Sequence, residues 1–212
     1  MKENKIKKIF DFLEVSDTLK NTKRWGNTPQ MVNKESSADH SWHLAMLVFL
    51  AIDELNLKVN KIKSLEMALI HDLVEALAGD TDNSLIAFGL KTKEEKRAAE
   101  IKAIDHFKSI LPQKSGMKIY DFWQEYEEGK TEEAKLVKAL DKIETINHMS
   151  AIGDSCFDHP ELIAPYPDKA VNNCPDSKPL LKELKKRLKP KFESHGWEWK
   201  DEYDVKPNVE KI

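Results

Sequence analysis

The sequence predicts an all-α protein: a single helical bundle with a less regular C-terminal extension. Apolar residues recur at helical rather than alternating spacing almost everywhere before residue 150, as in Ile6, Ile9, Phe10 and Leu13, and again in Leu44, Leu47 and Val48. These runs are separated by punctuation that ends helices, such as Asn60, Gly79, Pro112 and Gly129. The chain holds only seven glycines and no glycine-rich loop, so nucleotide-binding loops of the Walker or Rossmann kind are excluded.

Taken in order, the spacing predicts helices over about 3–20, 38–56, 61–77, 92–111, 116–128 and 131–150. Between the first two lies a polar loop, NTKRWGNTPQMVNKESS, which carries Arg24 and Trp25 at mid-length. Ordered loops of that length in compact domains are often functional. Ser64-x-x-Met67 is a poor capping box for the third helix. The later starts have better causes, because Thr92-x-x-Glu95 and Thr131-Glu132-Glu133 place a cap and acids at the positive end of the helix dipole. After residue 150 the pattern loosens into a stretch rich in Pro, Asp and Asn, followed by a helix near 177–194 and a tail with Trp197 and Trp199.

A chain of 212 residues can bury one full core and is short for two domains. The expected division is a core over 1–150, with 151–212 as an extension packing on the same domain. No apolar run is long enough to span a bilayer, and the basic start MKENKIKKIF is followed by acids rather than an export signal. The two cysteines, Cys156 and Cys174, do not resemble a disulfide framework, so a cytoplasmic location is expected. A net charge of −3 offers no general attraction to polyanions. Nucleic acid and membrane are therefore not expected partners, and a small phosphate ester is.

The chemistry is concentrated in LEMALIHDLVEALAGDTDN, where His71, Asp72 and Glu75 interrupt an apolar helix before the Gly79-Asp80 turn. An ionisable group among Met67, Ile70, Leu73 and Val74 must find a partner or a metal, or lose its charge. His71 and Glu75 are four apart and share a helical face. Two ligands do not hold a metal, and the remaining candidates are His40 in SSADHSWH and Asp141 in KLVKALDKIETI, the latter interrupting an apolar helix as Asp72 does. Each of these residues alone is more often a hydrogen-bonded structural group than a ligand; their joint order reverses that weighting. His43, three residues after His40, is open to being a fifth ligand, a support for a ligand or a core residue, with the last two favoured. His106 and His148 have no acidic partner at ligand spacing and read as structural or surface groups.

The strings ADHSWHLA, LIHDLVEALAGD and AKLVKALDKIE resemble the ordered H…HD…D signature of the HD superfamily of metal-dependent phosphohydrolases, over roughly 10–150. Within it they look like the branch containing bacterial 5′-deoxynucleotidases and oxetanocin-related hydrolases. The resemblance implies that His40, His71, Asp72 and Asp141 bind one divalent cation, with manganese, cobalt, iron or zinc suited to such mixed donors. It further implies that Glu75 handles the attacking water and Asp80 the leaving 5′ oxygen, while Arg24 forks onto the phosphate and Trp25 packs on sugar or base. A homodimer is implied as well.

The leading expectation is hydrolysis of (deoxy)nucleoside 5′-monophosphates. One rival is another HD activity, on nucleoside triphosphates, phosphodiesters or alarmones. Such substrates need several cations near the metal, and Lys23, Arg24 and Lys142 are the ones the sequence nominates. A second rival is a non-catalytic metal- and nucleotide-binding regulator, against which the presence of both Glu75 and Asp80 counts.

Overall fold

The structure is a computed structural model that describes residues 2–24, 34–152 and 159–205. Its helices are α1 (Lys2–Ser16), α2 (Ser37–Glu54), α3 (Lys61–Ile70), α4 (Glu75–Ala78), α5 (Asn83–Ala87), α6 (Lys93–Ile110), α7 (Gln113–Glu128), α8 (Glu132–Ile152), α9 (Pro160–Ile163), α10 (Asp168–Asn172) and α11 (Lys178–Ser194). No strand occurs among the described residues, where the sole extended pairing is a Lys23–Ser36 bridge.

At the centre lies α8, which buries Leu136, Val137, Leu140, Ile143 and Ile146 together with the polar Asp141, Glu144 and Thr145. A helix buried on most faces must be enclosed by others, and α2, α3, α7, α10 and α11 all pack on it. One apolar cluster runs from Leu44 and Val48 of α2 and Met67 of α3 through α8 to Val171, Leu181, Leu188 and Phe192. The described segment 159–205 therefore shares the core of the bundle. Trp197 and Trp199 cover Phe192, with ring centroids 5.6 and 5.3 Å away.

Local chemistry fixes the helices that matter for the site. Ser36 caps α2 by accepting from the Asp39 amide at 3.1 Å, and Asp39 accepts in return from the Ser36 amide at 2.9 Å. That box sets the start of α2 one turn before His40. Asn60, rather than Ser64, caps α3 by accepting from the Lys63 amide at 3.1 Å. Thr92 and Glu95 form the expected box, and Thr131 accepts from the Ala134 amide.

The third expected helix is not continuous. Regular α3 stops at Ile70, and the amides of Leu73, Glu75, Ala76 and Leu77 bond three residues back instead of four. The tighter winding begins where the His71 imidazole takes a share of the Ala68 carbonyl, at 2.8 Å from Nδ1. Consequently His71 and Asp72 sit at a helix end rather than within a helix. Gly79 closes this segment at φ +73, a region that favours glycine. At the α6–α7 contact, Gly116 lies so close to the Lys108 carbonyl that an added Cβ would stand 2.4 Å from its oxygen.

Candidate metal centre

Three elements carry the candidate ligands: α2 brings His40, the turn after α3 brings His71 and Asp72 beside it, and α8 brings Asp141, which lies next to His40. The His40 and His71 rings lie edge to face with centroids 5.3 Å apart. Asp72 Oδ2 is 3.2 Å from His71 Nε2 and 3.8 Å from His40 Nε2, while Asp141 Oδ1 is 3.3 Å from His40 Nε2. One donor atom from each of His40, His71 and Asp72 falls within a 4.8 Å cluster.

Both Nε2 atoms are buried without a hydrogen bond of acceptable geometry. Leaving two polar atoms so placed is costly, unless something else takes their lone pairs. Neighbouring donors each bound at about 2.1 Å to one cation stand about 3 Å apart, close to the spacings seen here. The donor set therefore fits a divalent cation held by mixed nitrogen and oxygen ligands.

The surrounding groups hold the carboxylates ionised. Asp141 Oδ2 accepts from the Tyr126 hydroxyl at 2.6 Å and lies 2.9 Å from Lys142 Nζ. Burial would raise the Asp141 pKa, but Lys142 and His40 outweigh it and hold the carboxyl well below its usual range. Asp72 behaves alike: burial opposes ionisation, and His71, His40 and Arg24 overcome it. His40 is pulled down by burial and by Arg24, yet the nearby Asp141 and Glu144 carboxylates prevail and lift it to about 9. The site's charge balance thus favours a cation.

Arg24 is buried inside this assembly. It donates to Asp72 Oδ2 at 3.2 Å and to Thr145 Oγ1 at 3.0 Å, with Nε 3.3 Å from Glu35 Oε1. Thr145 in turn donates to the Asp141 carbonyl. The guanidinium therefore joins both aspartate-bearing elements. Trp25 lies outside the described residues, as does Cys156; Cys174 is a buried free thiol.

Glu75 is also buried, and its Oε2 accepts from Ser37 Oγ at 2.5 Å. Burial, followed by Asp72 and Asp80, pushes its pKa well above the ordinary value. Thr18 and Thr22 donate to the carbonyls of Ala76 and Glu75, tying the loop after α1 to this segment. Asp80 is partly exposed just past Gly79 and lies within electrostatic reach of Glu75.

Four groups near the site were not singled out by the sequence: Glu35, Glu144, Tyr126 and Lys96. Glu144 bonds to His40 Nδ1 and, at 2.7 Å, to His43 Nδ1. That makes half-exposed His43 a neighbour of a candidate ligand's partner rather than a core residue. His148, which has no acid at ligand spacing along the sequence, meets Glu35, which approaches from before α2 to 3.4 Å. Lys96 is a further cation; burial lowers its pKa, but Glu100, Asp72 and Glu75 raise it above the usual value.

Residues 16–160 match the model of the HD domain. The chain is 36% identical over 144 residues to "5′-deoxynucleotidase HDDC2" of Xenopus laevis, spanning 66% of this chain and 67% of that protein. It is 30% identical over 175 residues to the Homo sapiens protein of that name, spanning 73% and 81%. In structure it resembles a predicted metal-dependent phosphohydrolase from Magnetospirillum magnetotacticum MS-1, with TM-score 0.75 and 25% identity over 93% of this chain and 97% of that one.

Proposed function

Because this chain belongs to the HD domain family, we propose that it is a metal-dependent 5′-nucleotidase releasing phosphate from (deoxy)nucleoside 5′-monophosphates. The observation that carries the reading is the pair of buried, unbonded Nε2 atoms of His40 and His71 facing the same Asp72 oxygen. In this reading His40, His71, Asp72 and Asp141 hold one divalent cation. When bound, such a cation neutralises phosphoryl charge and makes water acidic enough to supply a nucleophile.

The chain's own residues supply the rest. Water attacks phosphorus as the bond to the 5′ oxygen breaks, so one proton must leave the water and one must reach the departing oxygen. Glu75, oriented by Ser37 and raised in pKa by burial beside Asp72 and Asp80, accepts the first. Asp80, close enough to Glu75 to influence its charge, serves the second. Arg24 directs its guanidinium at the phosphate from beside Asp72, Lys96 and Lys142 add local positive charge, and Trp25 packs on sugar or base.

Support for the substrate class comes from the names of the relatives, which are called 5′-deoxynucleotidases. The working form in this reading is a cytoplasmic homodimer. Among the described residues no helix is long and apolar enough to cross a membrane, and α1 leaves the stripe Ile6, Ile9, Phe10 and Leu13 exposed. In this reading residues 151–212 belong to the same domain as 1–150, supported by the apolar cluster that residues between Ile163 and Val205 share with the bundle.

Phosphate release from matched deoxy and ribo 5′-monophosphates and triphosphates, with manganese or cobalt added, tests the substrate. Faster turnover of monophosphates is expected. Preference for triphosphates would move the assignment to another HD activity, and tight binding without turnover of any member to a regulator.

A further inference from the structure

An imidazole that uses Nε2 as a ligand must be neutral, with its remaining proton on Nδ1, and that proton needs an acceptor. His40 meets this requirement in an asymmetric setting. Its Nε2 faces Asp141 and Asp72, whereas its Nδ1 is bonded to Glu144 Oε2. The other acid near Nδ1 is Glu35, whose Oε1 is 4.0 Å away, beyond hydrogen-bond reach.

Glu144 is almost fully enclosed, and its second oxygen is also engaged, accepting from His43 Nδ1 at 2.7 Å. Asp141 and Glu144 are three apart on α8 and His40 and His43 are three apart on α2, so each pair shares one face. One carboxylate thereby clamps two imidazoles across the α2–α8 contact. A buried acid is expensive to keep charged, and no contact of Glu144 with Asp72 or His71 accounts for its position. Its hydrogen-bond partners are the His40 ring and the partly exposed His43 ring, with Glu35 and Arg24 also within electrostatic reach.

We propose that Glu144 is a positioning residue that fixes His40 in the Nδ1–H tautomer and aims its Nε2 at the cation, with His43 steadying the carboxylate from the opposite side. This rests on the reading of His40, His71, Asp72 and Asp141 as a cation site. Glutamine keeps one acceptor for His40 Nδ1–H; leucine keeps the approximate volume and removes every acceptor.

The test uses the full chain loaded with zinc, a diamagnetic probe, and reads tautomer and affinity rather than turnover. Long-range proton–nitrogen NMR spectra of histidine-labelled wild type should show His40 carrying its proton on Nδ1, with Nε2 shifted by the metal. In chelator competition, Glu144→Leu should weaken zinc binding about 10- to 100-fold, and Glu144→Gln should recover most of that loss. Circular dichroism checks that each variant is folded. Should the leucine variant not fold, the wild-type tautomer and the glutamine variant's affinity still decide the matter.

A zinc-loaded wild type with His40 protonated on Nε2, a folded leucine variant binding zinc as tightly as wild type, or a glutamine variant losing tenfold or more would overturn the positioning role while leaving the metal site intact. Failure of the wild type to bind zinc, manganese or cobalt at all would instead overturn the parent reading, and this inference with it.

Discussion

Tyr126 donates its hydroxyl to Asp141 Oδ2 across 2.6 Å, deep between α7 and α8. Together with Lys142 on the same oxygen, it leaves Oδ1 as the atom turned to His40. Tyr126→Phe removes that restraint with little change in volume. Metal affinity is expected to fall about tenfold, as for other groups that orient a ligand. Competition with a chelator measures it, and unchanged affinity would show that Lys142 alone orients the carboxylate.

Arg24 pairs with half-buried Asp72 and buried Glu35 simultaneously. Removing one member of a buried charged set leaves the others uncompensated, at about 3–5 kcal/mol. Urea unfolding of Arg24→Ala should register a loss of that order. Arg24→Lys keeps the charge but not the fork, so KM for a 5′-monophosphate should rise more than kcat falls. An unaltered KM in the lysine variant would restrict Arg24 to holding Asp72.

The α6–α7 contact depends on Gly116, where a methyl group would meet backbone rather than a side chain that can move aside. Gly116→Ala should therefore cost about 1–3 kcal/mol through overpacking. Thermal unfolding checks this, and a neutral or stabilising result would mean that the two helices separate without penalty.

Glu133 illustrates a pH effect remote from the site. It accepts from the Asn60 amide at 3.0 Å and lies 3.3 Å from Lys63 Nζ. The Asn60 bond, aided by Lys63 and opposed by burial, holds its pKa below the ordinary value. A carboxyl depressed in the folded state stabilises it fully above the unfolded pKa, about 4.3. That contribution is lost as pH falls through the lower folded value. Glu133→Gln should therefore narrow the gap between urea midpoints at pH 6 and below pH 4; equal gaps in variant and wild type would refute this contribution.

The sequence made His71, Asp72 and Asp141 legible for a physical reason: each ionisable group stands in an otherwise apolar helical pattern, so its burial demanded a partner. The fold class followed from spacing, and the Thr92 and Thr131 starts from capping chemistry. The break after Ile70 was not legible, because apolar periodicity continues through Leu73 and Val74 while the change is in hydrogen bonding. Glu35 and Glu144 were missed because charged residues beside Ser36 or within DKIET read as solvated. Only the approach of His40 and His148 from other elements makes them site neighbours. Pairings across distant segments are absent from local pattern, and Arg24's partners, drawn from three elements, are the clearest case.

The central claim is that one cation held by His40, His71, Asp72 and Asp141 powers phosphomonoester hydrolysis. Chelator-stripped protein should release no phosphate from a deoxynucleoside 5′-monophosphate, recover as manganese or cobalt is titrated back, and saturate near one cation per chain. His71→Ala should stay inactive throughout that titration. Release that persists without metal, or that survives His71→Ala at saturating metal, would contradict it.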